Sequence, residues 1–182
     1  HGVHLGEHGL WRKPPTLLDP VLRATLLMRR PGALPGGVQS DGLALTNDLF
    51  STVLSHVGLD VPEAAAASSV DLRPLWEGGR HLRDEVPLEF NLYKGTVGKG
   101  IRTRRWKYVY YRSVGDILWD TKAPGEIWRG CNWPAAMLFD LENDPEETRN
   151  VLDECPEIAA EMKERLINWL IASENTVPAP DP

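Results

Sequence analysis

The chain has 182 residues, of which 42% are hydrophobic and 25% charged, and its 20 Lys and Arg against 26 Asp and Glu leave a net charge of −6. These values exclude wholesale disorder and fibrous repeats, and the sign of the charge is wrong for a protein built mainly to hold nucleic acid. At this length one domain is the default, and folding can bury roughly two-thirds of the unfolded surface.

Residues 1–13 are rich in Gly, His and Glu and are predicted to form a loop. Pro14-Pro15 closes it, one ring removing a donor and the other constraining the residue before it. The run Val-Leu-Arg-Ala-Thr-Leu-Leu-Met at residues 21–28, bounded by Pro20 and Pro31-Gly32, predicts a buried strand. Residues 33–44 read as a turn-rich linker. Thr46 or Asn47 then caps a helix whose Leu45, Leu49, Val53 and Val57 make one apolar stripe and whose left-handed exit is Gly58. Residues 64–69 are predicted as a loop between Pro62 and Ser68-Ser69, and residues 72–79 as a segment anchored by Leu75 and Trp76.

From there the pattern turns strand-like. Residues 86–93, 100–112 and 136–141 carry β-formers between Gly, Pro and Asn-Asp punctuation, which predicts a meander of antiparallel strands. In the second run Trp106, Tyr108 and Tyr110 fall on one face and Lys107, Val109 and Tyr111 on the other. Pro156 opens a helix lined on one side by Ile158, Met162, Leu166, Trp169 and Leu170, with Glu157 well placed in its first turn. It is predicted to pack on the sheet. The tail from Thr176 is Pro-rich and predicted to fray. The fold class is therefore α/β: the end of an α/β sheet, then a small antiparallel sheet covered by a C-terminal helix, with the boundary between residues 60 and 85.

Cys131 and Cys155 lack metal-ligand spacing and are too few for a disulfide framework. No apolar run approaches the ~20 residues of a membrane helix. No charged region followed by an apolar one trails His1, and the abrupt opening there is read as the start of a piece of something longer.

His1, His4 and His8 fall in the first eight residues with Glu7 among them, a density that suits a site better than a core. A solvated polar loop is the plainest reading. His4-Leu-Gly-Glu-His8 also matches the inverted zinc motif H-x-x-E-H, which needs a helix to bring both imidazoles to one face; Gly6 inside it and Gly2 and Gly9 beside it argue against that helix.

A third reading uses the whole opening, His-Gly-x-x-Leu-Gly-Glu-His-Gly-Leu-Trp-x-Lys at residues 1–13. With it go Arg23-Ala-Thr-Leu-Leu-Met-Arg-Arg-Pro-Gly32, Asp48-Leu-Phe-Ser-Thr-Val-Leu with Gly58-Leu59 and Pro62, and Asp71-Leu-Arg-Pro-Leu-Trp-Glu-Gly. Gly100-Ile-Arg-Thr-Arg-Arg-Trp-Lys-Tyr and Leu138-Phe-Asp-Leu-Glu-Asn-Asp-Pro-Glu-Glu-Thr-Arg-Asn complete the series. Six segments in this order, over nearly the entire chain, resemble the C-terminal portion of type I sulfatases in the alkaline phosphatase superfamily.

The resemblance implies an alkaline-phosphatase-like fold, with residues 1–75 as the C-terminal part of the α/β catalytic domain and residues 76–182 as a C-terminal subdomain. It implies that His1 is a metal ligand and that Lys13 contacts the sulfate as a catalytic, substrate-binding group. The metal would be divalent, calcium by resemblance, with manganese or zinc as the ions that imidazole suits better. The family's formylglycine nucleophile would lie upstream, since neither Cys131-Asn-Trp-Pro nor Cys155-Pro156 fits Cys/Ser-x-Pro-x-Arg. The isolated chain is accordingly expected to be inactive, its partners being a small-molecule or carbohydrate sulfate ester and the remainder of the catalytic domain. Trp119, Trp128 and Trp133, in a long excursion between strands, suggest the carbohydrate, though packing onto the sheet explains them as well.

Two other functions compete. The same superfamily includes phosphonate and phosphate ester hydrolases, which residues 1–182 do not distinguish from sulfatases. The other is a non-catalytic nucleic-acid- or carbohydrate-binding module; a nucleic-acid-binding sheet is suggested by Lys99, Arg102, Arg104, Arg105 and Lys107 interleaved with Trp106, Tyr108 and Tyr110, and the net charge opposes it. No membrane partner and no nucleic acid are expected.

Overall fold

The computed structural model describes residues 1–78, 81–91, 97–112 and 134–174. The chain divides into two compact units, one of His1–Thr25 with Pro87–Pro182 and the other of Leu26–Val86. The opening 25 residues belong to the same unit as Pro87–Pro182.

That sheet has four strands in the order β3 (Glu85–Asn91), β4 (Val97–Thr103), β5 (Trp106–Arg112) and β6 (Ala136–Asp140). The run predicted at residues 100–112 is thus a hairpin. Arg104 and Arg105 sit at its tip, where the Thr103 hydroxyl takes the Trp106 N–H at 2.8 Å. The ladders from β4 to β5 and from β5 to β6 are antiparallel and bring Ile101 opposite Tyr108 and Tyr108 opposite Leu138. This row packs on α5 (Pro156–Glu174) through Met162 and Leu166, with Trp106, Ile158, Trp169 and Leu170 around it, as the helix stripe predicts. Burying each such aliphatic side chain contributes about 1.5–3 kcal/mol.

The opposite face of the sheet carries Lys107, Val109 and Tyr111, and here the opening segment lies. The Leu17 N–H donates to the Tyr111 hydroxyl at 2.9 Å, and burial pushes that phenol far above its ordinary range. Leu17 also lies over Gly100, where a Cβ would press on the Tyr108 carbonyl oxygen and the Val109 side chain.

Residues 21–28 do not form the predicted strand. Pro20 sits in the first turn of a short helix, α1 (Asp19–Leu22), and Leu26 and Leu27 beyond it are exposed. A strand needs a neighbour to take its backbone groups, and no described strand pairs with this segment.

In the second unit α2 (Asp48–His56) starts where predicted and leaves through Gly58 at φ +75°. Its faces are reversed. Asp48, Ser51 and Thr52 are buried, whereas Phe50, Val53 and Val57 are exposed. The polar side wins because the Asp48 carboxylate takes both Arg83 Nη atoms at 2.7 and 2.8 Å, the Leu45 N–H at 2.6 Å and the Val70 N–H at 3.0 Å. Thr52 adds an acceptor for the Leu72 N–H at 3.0 Å. Residues 64–69, predicted as loop, overlap the single turn α3 (Glu63–Ala66), for which Pro62 supplies the extended entry and three alanines the propensity. Of the two expected anchors, Leu75 on α4 (Pro74–Glu77) is buried and Trp76 is half-buried, its ring 5.9 Å from that of His56; Leu72 is buried as well.

Candidate active site at the opening hairpin

Residues 1–13 fold as a tight hairpin. Strand β1 (His4–Leu5) pairs antiparallel with β2 (Trp11–Arg12), His4 opposite Arg12 and Leu5 opposite Trp11, around a 3-10 turn at Glu7–Gly9. The backbone passes through positive φ at Gly6, His8, Gly9 and Arg12, so the helix that the inverted zinc motif requires does not exist. The Glu7 carboxylate instead accepts the Leu5 N–H at 2.5 Å, which with its own backbone N–H holds its pKa below the usual range.

The hairpin folds its two ends together. His1 and Lys13, the predicted metal ligand and sulfate-binding group, meet with Lys13 Nζ 3.2 Å from His1 Nε2, both side chains exposed. An ammonium can only donate, so this contact requires a neutral imidazole with its proton on Nδ1. Gly2 fixes the entry: its N–H donates to the Val21 carbonyl at 2.9 Å, and a Cβ there would collide with the Pro20 carbonyl oxygen. His4 is not part of the exposed pair. It is fully buried, with Nε2 3.2 Å from Thr16 Oγ1 and the His8 ring edge-on at 5.8 Å. Burial, aided by the nearby His8, lowers its pKa.

Behind the hairpin lies an ionic cluster that the sequence reading did not single out. Lys107 Nζ bridges Asp19 Oδ1 at 2.7 Å and Glu147 Oε1 at 2.5 Å. Arg102 Nη1 reaches both Asp19 oxygens at 2.6 and 2.7 Å, and the Asp19 N–H donates to Glu147 Oε2 at 2.7 Å. Lys107 and Glu147 are completely buried, and Glu147 is held at φ +57°. Two cations face two anions, so the buried cluster is neutral. Burial pushes the Asp19 carboxyl up, but Lys107 and Arg102 more than offset it and hold it below the carboxylate range. Burial dominates at Glu147, and the Asp19 charge adds to it, so its pKa is raised despite Lys107. The available signal was strand alternation: a lysine on the same face as Val109 must find a buried counter-ion.

The basic strand residues are paired. Lys99 meets Glu89 at 2.5 Å and Arg105 meets Asp140 at 2.9 Å, while Arg102 and Lys107 serve the cluster just described. This removes the free cationic face a nucleic-acid reading needs. Trp119, Trp128, Trp133 and Cys131 lie outside the described residues. Among the described residues no group of three or more His, Cys, Asp and Glu side chains converges to hold a metal, and no helix is long and apolar enough to cross a membrane. At the hairpin the exposed His1 imidazole is compatible with a single ligand position and insufficient for a metal site by itself.

No protein-family model matches the chain. Human arylsulfatase K is 25% identical over 184 residues, covering 91% of this chain and 29% of that protein, and bovine arylsulfatase A is 29% identical over 163 residues, covering 87% and 32%. The solved structure of BT4656 in complex with its substrate D-glucosamine-2-N,6-O-disulfate superposes on the whole chain with a TM-score of 0.73 at 20% identity, over 34% of its own length. These matches indicate a sulfatase-type C-terminal portion. Its fold belongs to the alkaline-phosphatase-like α/β class, with the antiparallel sheet and terminal helix at its end. This sulfatase-type portion spans 29% and 32% of the two relatives' lengths.

Proposed function

We propose that the chain forms one side of an active site that hydrolyses sulfate esters, with Lys13 binding the sulfate and His1 serving as one ligand of a divalent metal. The observation carrying this reading is the 3.2 Å approach of Lys13 Nζ to His1 Nε2 across the hairpin. A sulfuryl transition state spreads negative charge over nonbridging and leaving oxygens, so a fixed ammonium stabilises it more than it does the ground state. Lysine suits this as a compact charge with three donors. The metal, when bound, would supply further charge stabilisation. Calcium is our reading, with manganese or zinc as the ions imidazole favours. A divalent metal held by the His1 imidazole would compete with Lys13 for it and would leave the ammonium free to contact an anion.

The formylglycine and the other metal ligands come from outside residues 1–182 on this reading, and the chain by itself has no nucleophile. For the substrate class we favour a sulfated carbohydrate. Trp11 is 46% exposed, lies opposite Leu5 and stands two residues from Lys13, which suits stacking on a sugar face. The substrate of BT4656 is of that kind.

In the longer protein that carries this chain, Lys13→Met is expected to lower kcat/KM for a sulfate ester by about 10²–10³-fold. A loss below about threefold in a folded enzyme would sink the Lys13 assignment. Turnover by purified residues 1–182 alone would sink the division of labour.

A further inference from the structure

We propose that the C-terminal sheet is a positioning device for the hairpin. Asp19, Arg102, Lys107 and Glu147 act as positioning residues that clamp α1 to strands β4 and β5 and so hold Lys13 against His1. The inference deepens the sulfate-site reading and rests on it for its functional meaning.

Both ends of the hairpin run into α1. On one side His1 is followed by Gly2, whose N–H is bonded to the Val21 carbonyl and whose Cα rests against Pro20. On the other side Lys13 is followed by Pro14 and Pro15, which restrict the backbone, and then by Thr16, Leu17, Leu18 and Asp19, all buried. The hairpin itself has a weak apolar hold, since Val3, Leu5 and Trp11 are exposed and Leu10 is its one buried hydrophobic residue. The location of α1 therefore sets where the imidazole and the ammonium stand.

The segment entering α1 is attached to the sheet by the buried Leu17 and Leu18 and the Leu17 N–H bond to the Tyr111 hydroxyl, and α1 itself by the ionic cluster. Asp19 engages three partners, using both carboxylate oxygens and its backbone N–H, from β4 (Arg102), β5 (Lys107) and the loop after β6 (Glu147). A neutral buried cluster of this kind adds little stability over a well-packed apolar replacement, but its bonds are directional and define one register. Sequence separations of 83, 88 and 128 residues divide Asp19 from these partners. Strands remote in sequence thus reach the pair at residues 1 and 13.

The test uses the 182-residue chain and the charge-balanced double variant Lys107→Met/Glu147→Gln, which leaves the Asp19–Arg102 pair in place. Three quantities are read by NMR: amide exchange, the nuclear Overhauser contact between the His1 ring and the Lys13 side chain, and the shifts of both on titration with sodium sulfate. The variant is expected to lose the Overhauser contact, to exchange the amides of residues 16–22 about tenfold faster and to bind sulfate about tenfold more weakly, while β4, β5 and α5 stay protected. Retention of the contact and of wild-type exchange in residues 16–22 would overturn the proposal. Should the double variant fail to fold, Glu147→Gln alone is read the same way, and an unchanged contact there overturns it equally. A wild-type chain that shows the contact, loses it in the variant and never responds to sulfate would uphold the positioning and refute the sulfate reading.

Discussion

Asp48 offers the sharpest energetic test of the second unit. Its carboxylate is fully buried and faces four donors: the N–H groups of Leu45 and Val70 and both Nη atoms of Arg83. Asp48→Asn keeps nearly the same volume but leaves one acceptor oxygen, which can satisfy at most two of those donors, and turns an NH₂ group toward the rest. It also leaves the Arg83 guanidinium without its counter-ion. Removing one partner of a buried pair costs about 3–5 kcal/mol, and because the Arg83 side chain retains 16% exposure the low end, about 3 kcal/mol, applies. Amide exchange across α2 and residues 70–76 is the suitable assay, since it reads this unit separately from the sheet. A loss of about 3 kcal/mol lowers protection there by roughly 10²-fold. Loss below about threefold would show that the carboxylate does not organise the helix. A cycle with Arg83→Met isolates the pair itself: the double variant is expected to cost clearly less than the sum of the single ones.

Two further outcomes follow from the hairpin. Because the folded His4 imidazole has a lowered pKa, the unfolded chain binds more protons below about pH 6.5, so stability is fully present above that value and falls as pH drops toward the folded pKa, by at most ~1.36 kcal/mol per pH unit. Exchange of the amides of residues 4–12 against pH should show this slope and His4→Asn should flatten it, whereas a hairpin that tightens on acidification would contradict it. Gly2→Ala is expected to break the Gly2–Val21 bond and with it the His1–Lys13 Overhauser contact, while α5 and the sheet melt as before; an intact contact would mean that His1 is not held through Gly2.

The parts of the fold legible in the sequence were those where pattern and packing agree. The α5 stripe of Met162 and Leu166, and the alternation that buries Tyr108 on one face and Val109 on the other, follow from periods of 3.6 and 2. The reading failed where polar contacts overrode the pattern. Val53 and Val57 look like a core stripe until Asp48 and Thr52 are seen capturing the backbone of residues 70–72. Residues 21–28 have strand composition, but composition supplies no neighbour, and Pro20 begins a helical turn instead. At the candidate site, the spacing of His1 and Lys13 was visible in the motif and their approach to 3.2 Å is visible in the structure. The Asp19 cluster was hidden for a different reason. Its members lie in four separate segments, and each alone reads as an ordinary charged residue.

That dispersal bears on how such a site is kept in register. An apolar contact between residues 14–22 and the sheet would tolerate sliding, because dispersion and area burial depend weakly on direction. Lys107 between two carboxylates, and Arg102 across both oxygens of one of them, do not slide without leaving a buried charge unpaired. The cluster therefore penalises every position of α1 but one, whatever its net contribution to stability. A displacement of about 1 Å at a catalytic group is enough to cost about 10²-fold in rate, so the value of such a clamp would be read in kcat rather than in melting temperature. Variants of Asp19, Lys107 or Glu147 that leave stability intact and still depress turnover in the longer protein are the signature this argument requires; a strict proportionality between lost stability and lost turnover across the same set would refute it.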